Sequence, residues 1–175
     1  MQVITTFFNK RIMSQIFFQP LRKILDNIIN LDVDEIAFEI ARTSKFKRLV
    51  IGLNTEGEPT SQLFELGEDS KGRLLSSIGG NYSPFTLQKA DEEGRPKRSA
   101  DLIDLKDTGA FYKTFDVIPF KGGFKIEANT KLHGDDLQDS WGKEIVGLNS
   151  DNLQIVIDFY KQVINEAVRK RIKAA

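Results

Sequence analysis

There is no cysteine among the 175 residues of this chain. Disulfides, thiol nucleophiles and thiolate metal sites are excluded, and a reducing cytoplasm or an assembled particle suits it equally. Net charge is missing as well: 25 Lys and Arg face 25 Asp and Glu, so no global attraction to DNA or an anionic membrane is built in. Long apolar runs are absent, and none approaches the ~20 residues of a membrane span. The opening Met1-Gln-Val-Ile-Thr-Thr-Phe-Phe-Asn-Lys10-Arg11 places its charges after a short apolar patch, the reverse of an export signal. The sequence therefore predicts a soluble protein made in the cytosol. Histidine occurs once, at His133, too few to complete a zinc site with no cysteine beside it. Phenylalanine, by contrast, occurs thirteen times, which predicts aromatic surfaces, some buried only on assembly.

The length is that of one ordinary domain. Residues 1–19 are weakly patterned and read as a poorly ordered extension or a short docking helix; residues 20–175 read as a single domain. From Leu21 the text turns helical, with Leu21, Ile24, Leu25, Ile28 and Ile29 repeating at three and four. Asp32 with Glu35 has the capping-box spacing, and a helix is predicted from Val33 to about Asn54. Its two apolar stripes are offset around Thr43-Ser44, which predicts a kink or break there. Gln62-Leu-Phe-Glu-Leu66 reads as a short helical end with Gly67 just beyond it.

From Glu68 to Asp104 glycine and proline break the chain into loops and short pieces. Asp91-Glu-Glu-Gly94-Arg-Pro-Lys-Arg98 is predicted to be an exposed, mobile loop. After Gly109 the period changes to two. Phe115 and Val117 are assigned to one face of a first strand, and Phe124, Ile126 and Ala128 to one face of a second, with Lys121-Gly122-Gly123 as the positive-φ turn. Asp135-Asp136 before Leu137 reads as a turn and N-cap. The last element is a helix with Ser150 as N-cap, Asp151 in its first turn and Arg169, Lys170, Arg171 and Lys173 in its last, a polarity that matches the helix dipole.

The segment Leu105-Lys-Asp-Thr-Gly109-Ala-Phe-Tyr-Lys-Thr-Phe115 admits two functional readings. Asp107-Thr108-Gly109-Ala110 is the half-site signature of a retroviral-type aspartic protease, which needs two carboxylates about 3 Å apart sharing a proton. Glu144-Ile-Val-Gly147-Leu-Asn149 could supply its downstream apolar-apolar-Gly element. Against this, Lys106 stands where the protease has apolar strand residues, and long helices flank the motif where retropepsin subunits are nearly all β. The plainer reading is an Asp-x-Gly turn opening a hairpin. No nucleophile elbow and no Gly-Lys-Ser/Thr phosphate loop is present. Two basic clusters, Arg95 to Arg98 and Arg169 to Lys173, leave a third reading as a nucleic-acid-binding accessory protein.

Taken in order, Gln62-Leu-Phe-Glu-Leu-Gly67, Glu68-Asp-Ser-Lys-Gly72-Arg, Tyr82-Ser-Pro-Phe-Thr86, Leu105 to Phe115 and Trp141-Gly-Lys-Glu-Ile-Val-Gly-Leu-Asn149 resemble the phage virion-morphogenesis or tail-completion family, also described as minor tail or head–tail joining proteins, in the variant of Bacteroidetes phages and prophages. The resemblance covers about residues 50 to 170. It implies an α+β fold with a long N-terminal helix, a small antiparallel sheet containing a 111–129 hairpin, and a long C-terminal helix packed on it. It also implies a non-enzymatic structural protein of the virion, made in the host bacterial cytoplasm, that completes the tail or joins it to the head as a multimeric ring. Its expected partners are copies of itself and neighbouring neck or tail proteins. No cofactor, metal, membrane, nucleic acid or small-molecule substrate is expected. Asp107, Thr108, Gly109, Trp141 and Gly142 are expected to be structural. Leu74, Leu75, Ile78, Tyr82, Phe85 and Leu87, with Lys121, Gly122 and Gly123 at the hairpin tip, are expected to meet neighbouring subunits, because the broken middle region lacks an apolar face of its own.

Overall fold

Thr43 is the pivot of the N-terminal half. Its extended backbone (φ −68°, ψ 141°) stops one helix, and its hydroxyl accepts from Phe46 N at 3.2 Å to start the next. The offset apolar stripes thus become two helices, α1 (Val33–Arg42) and α2 (Ser44–Asn54). Asp32 caps α1 by accepting from Glu35 N at 3.0 Å. The structure is a computed structural model that describes residues 32–132 and 134–174 together with Asp26. The remainder of the predicted 21–30 helix, the 1–19 extension and His133 lie outside the described residues.

After α2 the chain makes one wide helical turn, Gln62–Leu66, in which Leu66 N reaches back to Ser61 O at 3.2 Å. Gly67 closes it at φ 63°. Short helices follow at Ser76–Gly79 (α3) and Pro84–Glu92 (α4), the latter capped by Ser83 with Pro84 in its first turn. A single 3₁₀ turn, Tyr112–Thr114, leads into the antiparallel hairpin β1 (Asp116–Phe120) and β2 (Gly123–Glu127). Two two-residue strands, β3 (Lys131–Leu132) and β4 (Asp135–Asp136), precede α5 (Leu137–Trp141), which Asp136 caps. The chain ends in α6 (Ser150–Ala174). The expected α+β arrangement is present: helices at both ends, a small antiparallel sheet and a long C-terminal helix.

Two buried clusters hold these elements. One gathers Leu63, Leu75, Ile103, Phe111, Phe115 and Ile145; the other gathers Ile40, Phe46, Val50, Leu53, Val117 and Val156. Ile51 and Ile126 pack against both and join them. Between α2 and the start of α6 runs a buried seam of amides. Gln62 Nε2 donates to Gly147 O at 3.0 Å, Gln62 Oε1 accepts from Asn149 N at 2.6 Å, and Asn54 Oδ1 accepts from Gly147 N at 3.1 Å. Asn152 Nδ2 donates to both Leu53 O and Thr60 O. These amides satisfy backbone groups that the loops leave without ladder partners, which is how a core with so little sheet avoids orphaned carbonyls.

Several expectations are corrected. The cap of α6 is Asn149, which accepts from Asn152 N at 3.0 Å, one residue before Ser150. Phe115 precedes β1 and packs in the first cluster, while Val117 packs in the second, so the two do not share a strand face. Only Gly122 of the hairpin turn has positive φ; Lys121 and Gly123 do not. Residues 91–98 are not a wholly exposed loop, since Asp91 and Glu92 finish α4 and the Lys97 side chain is buried. The middle region, finally, does have a core: Leu75 is fully buried in the first cluster, its N–H bonded to Gly67 O at 2.7 Å. These pieces are too short to carry an apolar stripe, and Leu75 and Ile103 enter the shared cluster singly.

Candidate functional site

An isolated acid in an apolar run, Leu102-Ile103-Asp104-Leu105, is the centre of the most elaborated polar site. Burying a carboxylate costs several kcal/mol unless it is paired and hydrogen-bonded. Asp104 is supplied with both. Its Oδ1 accepts from Lys97 Nζ, from Tyr82 OH and from Lys106 N, each at 2.9 Å, and its carbonyl accepts from Tyr112 OH. The Lys97 and Asp104 side chains are 6% and 7% exposed. Lys97 also lies 4.9 Å from the centre of the Tyr82 ring and donates to Lys106 O. The next residue, Leu105, is held at φ 51°, the one non-glycine positive φ among the described residues. That conformation costs an L-residue about 1–2 kcal/mol, and the Tyr82–Asp104–Tyr112 clamp around it is what resists relaxation.

Two clefts flank this clamp. The first, of about 330 Å³, has Tyr82, Phe85 and Trp141 as aromatic walls, with Lys89, Lys97 and Asp107 among its polar lining. The second, of about 320 Å³, is lined by Phe64, Arg95, Lys97, Arg98, Lys106 and Thr108. Its cations are already engaged. Arg95 pairs with Glu93 and Asp107, Arg98 with Glu65 at 2.7 Å, and Lys106 with Glu56. Arg98 and Lys106 also lie over the Phe64 ring, 4.3 and 4.7 Å from its centre. Of the two basic clusters singled out for phosphate contacts, the first is thus paired internally at Arg95, Lys97 and Arg98.

Asp107 stands at the rim shared by both clefts. Its side chain is 67% exposed and its described ionic partner is a cation, Arg95. It occupies a bend, not the end of a strand, and Thr108 Oγ1 accepts from Ala110 N while Gly109, at φ 76°, bonds Lys113 N through its carbonyl. Asp-Thr-Gly here shapes the turn that delivers Phe111 and Tyr112 to the core. Trp141 packs on the first cluster and lies against Gly79, where a Cβ would fall 2.5 Å from the indole Nε1; Gly142 follows at φ 80°. Among the described residues Nε1 is buried without a hydrogen-bond partner.

The expected interface residues divide. Leu74 and Phe85 are exposed, at 52% and 73%, and Ile78 is exposed beside them. Tyr82 and Leu87 are half-buried, and Tyr82 is tied by its hydroxyl to Asp104. Leu75 belongs to the subunit core and is withdrawn from the interface. At the hairpin, Phe120 and Ile118 are exposed next to Lys121 and Gly122. Asp104, Lys97, Leu105 and Tyr112 were not singled out as site residues from sequence, although an acid inside an apolar tetrapeptide was the available signal.

All three tyrosines of the chain are held neutral by their surroundings. Burial raises the Tyr82 and Tyr112 phenols above the ordinary value, with the Asp104 charge adding to it, and burial alone pushes Tyr160 up to about 12. A folded-state value above the unfolded one of about 10 means stability that is present below that pH and lost as pH rises through the folded values. Tyrosinate absorbance is therefore expected to appear only together with alkaline unfolding. A tyrosine that ionises near its ordinary pH in still-folded protein would contradict the clamp or the Tyr160 packing.

No protein-family model matches the chain, and no curated protein or solved structure shows significant similarity to it. No helix among the described residues is long and apolar enough to cross a membrane.

Proposed function

We propose that the protein is a non-enzymatic phage structural component that acts in tail completion or head–tail joining by assembling with copies of itself. The observation that carries this reading is the distribution of exposed large apolar side chains. One group, Leu74, Ile78 and Phe85, belongs to the segment built around the Leu75 and Trp141 cluster. Another, Ile118 and Phe120, sits on the hairpin that covers the Phe46 cluster. Exposed apolar side chains on unlike parts of one subunit, to which α6 adds Leu153, Ile155 and Ile157, are what a head-to-tail contact requires, and such a contact closes into a ring when its rotation divides a full turn. Complete burial of a large side chain stabilises by about 1.5–3 kcal/mol, so a few on each patch suffice to drive association. The order of sequence motifs that resemble those of the tail-completion family supports this choice of assembly.

The protease alternative has little to support it in the subunit, where Asp107 is exposed and neutralised by Arg95. The nucleic-acid alternative loses Arg95, Lys97 and Arg98 to internal partners.

Sedimentation and negative-stain imaging of the purified chain at rising concentration test the proposal. Closed rings are expected, and Phe85→Ser with Phe120→Ser should leave a folded monomer. A wild type that stays monomeric at every concentration, or pepstatin-sensitive peptide cleavage abolished by Asp107→Asn, would sink it.

A further inference from the structure

We infer that β2 offers its outer edge to β2 of a second copy, the two hairpins joining across a twofold axis at Ile126 into one four-stranded antiparallel sheet. The observation is an asymmetry between the two edges of the hairpin. Its register pairs Phe120 with Gly123, Ile118 with Lys125 and Asp116 with Glu127 around a two-residue turn, so those residues carry the hydrogen bonds of the ladder. The backbone groups of Val117 and Pro119 then point outward along β1, and those of Phe124 and Ile126 outward along β2. On β1 neither outward position offers a donor: Val117 N donates to Asp116 Oδ1 at 2.7 Å, and Pro119 has no N–H. On β2 the outward amides and carbonyls of Phe124 and Ile126 make no hydrogen bond among the described residues. One edge is blunted and the other is open to pairing.

The surroundings fit an added strand and select which one. A cleft of about 240 Å³ lies against this edge, walled by Phe124, Ile126, Val146, Leu148 and Leu153, with room for an apolar side chain of the incoming strand. Exposed Lys125 and Glu127 alternate with the apolar positions. In an antiparallel pairing about Ile126, each Lys125 stands opposite the partner's Glu127, and each Phe124 opposite the partner's Ala128. Centring the pair on Lys125 instead would set two lysines directly opposite, which is destabilising. β2 is thus complementary to itself in one register, as an isologous contact requires. So short an edge buries too little to hold two lone subunits together at ordinary concentrations. In the ring proposed above, on which this consequence rests, the contact repeats around the circle and joins two rings back to back.

The absence of native cysteine makes the test clean. Lys125→Cys and Glu127→Cys variants of the full chain are mixed at high concentration, oxidised mildly and resolved without reductant. Opposite residues at this non-hydrogen-bonded pair lie about 4.5 Å apart between Cα atoms, within disulfide reach, and the mixture keeps one Lys125–Glu127 pair intact. Two copies of position 125 lie about 8 Å apart in the same register, beyond that reach. Covalent dimer from the mixture is expected at least about fivefold above either variant alone. Equal yields, no dimer, or dimer only from Lys125→Cys by itself would overturn the pairing. Oxidation traps brief encounters, so this readout does not depend on rings. Rings without the cross-link remove the edge contact and leave the assembly reading standing, and the cross-link without rings does the reverse. By negative stain, wild-type rings should lie in pairs, Lys125→Glu should give single rings, and mixing it with Glu127→Lys should restore the pairs. Wild-type rings that stay single would equally overturn the inference.

Discussion

Replacing Asp104 by alanine is expected to cost about 3–5 kcal/mol of folding stability, because it leaves the buried Lys97 ammonium without its counter-charge. It also strips the acceptor from Tyr82 OH and Lys106 N. The clamp on Leu105 would then lose two of its ties, and the positive φ there would relax. Because the cost arises from the unpaired charge more than from the loss of attraction, removing both charges should be milder. Lys97→Met with Asp104→Leu is expected to recover most of the lost stability. Chemical denaturation of the single and double variants measures this directly. A single variant within about 1 kcal/mol of wild type would mean that water reaches Lys97 and that the pair behaves as a surface ion pair.

Truncating Phe46 to alanine should be about as damaging, by a different route. The ring is fully buried and meets three others, Phe124 at 5.1 Å, Tyr160 at 5.0 Å and Phe159 at 5.9 Å, so two elements, the hairpin and α6, close on it where it projects from α2. A Phe→Ala change in a core costs about 3–5 kcal/mol, the upper part applying where neighbours cannot collapse into the space. Phe85→Ala provides the contrast. At 73% exposure it should shift the stability of the isolated subunit by no more than about 0.5 kcal/mol. If thermal or denaturant unfolding ranks these two variants the other way, the division into core and surface aromatics is wrong.

These contrasts mark the limit of what patterning could say about the site. Phe46 and Phe85 look alike in the sequence, each a phenylalanine on an amphipathic helix. What separates them is a long-range partner set, and periodicity carries no information about which face a distant strand will cover. The same holds for Asp104. Its neighbours Leu102, Ile103 and Leu105 implied burial, but Lys97 lay in a stretch whose composition, Asp91 to Arg98, reads as solvated. Charge density describes a segment on average, whereas burial is decided one side chain at a time. The Asp-Thr-Gly motif was legible in its local role as a turn, which Thr108 and Gly109 perform through contacts within a few residues.

By itself the sequence determined whatever is encoded within about one helical turn. The Asp32 cap, the break at Thr43, Gly67 after its turn, the turn at Gly122, the cap at Asp136 and the long amphipathic α6 depend on neighbours three or four positions away, and they stand where the residues put them. Tertiary structure alone decided the rest. It split Phe115 from Val117 into separate clusters, drew Leu75 out of a broken loop into the core, and tied Asn149 to Gln62 and Glu68. It also brought Lys97, Tyr82 and Tyr112 around Asp104. Each of these outcomes rests on contacts between residues far enough apart in sequence that their free energy appears only once the chain has closed the loops between them.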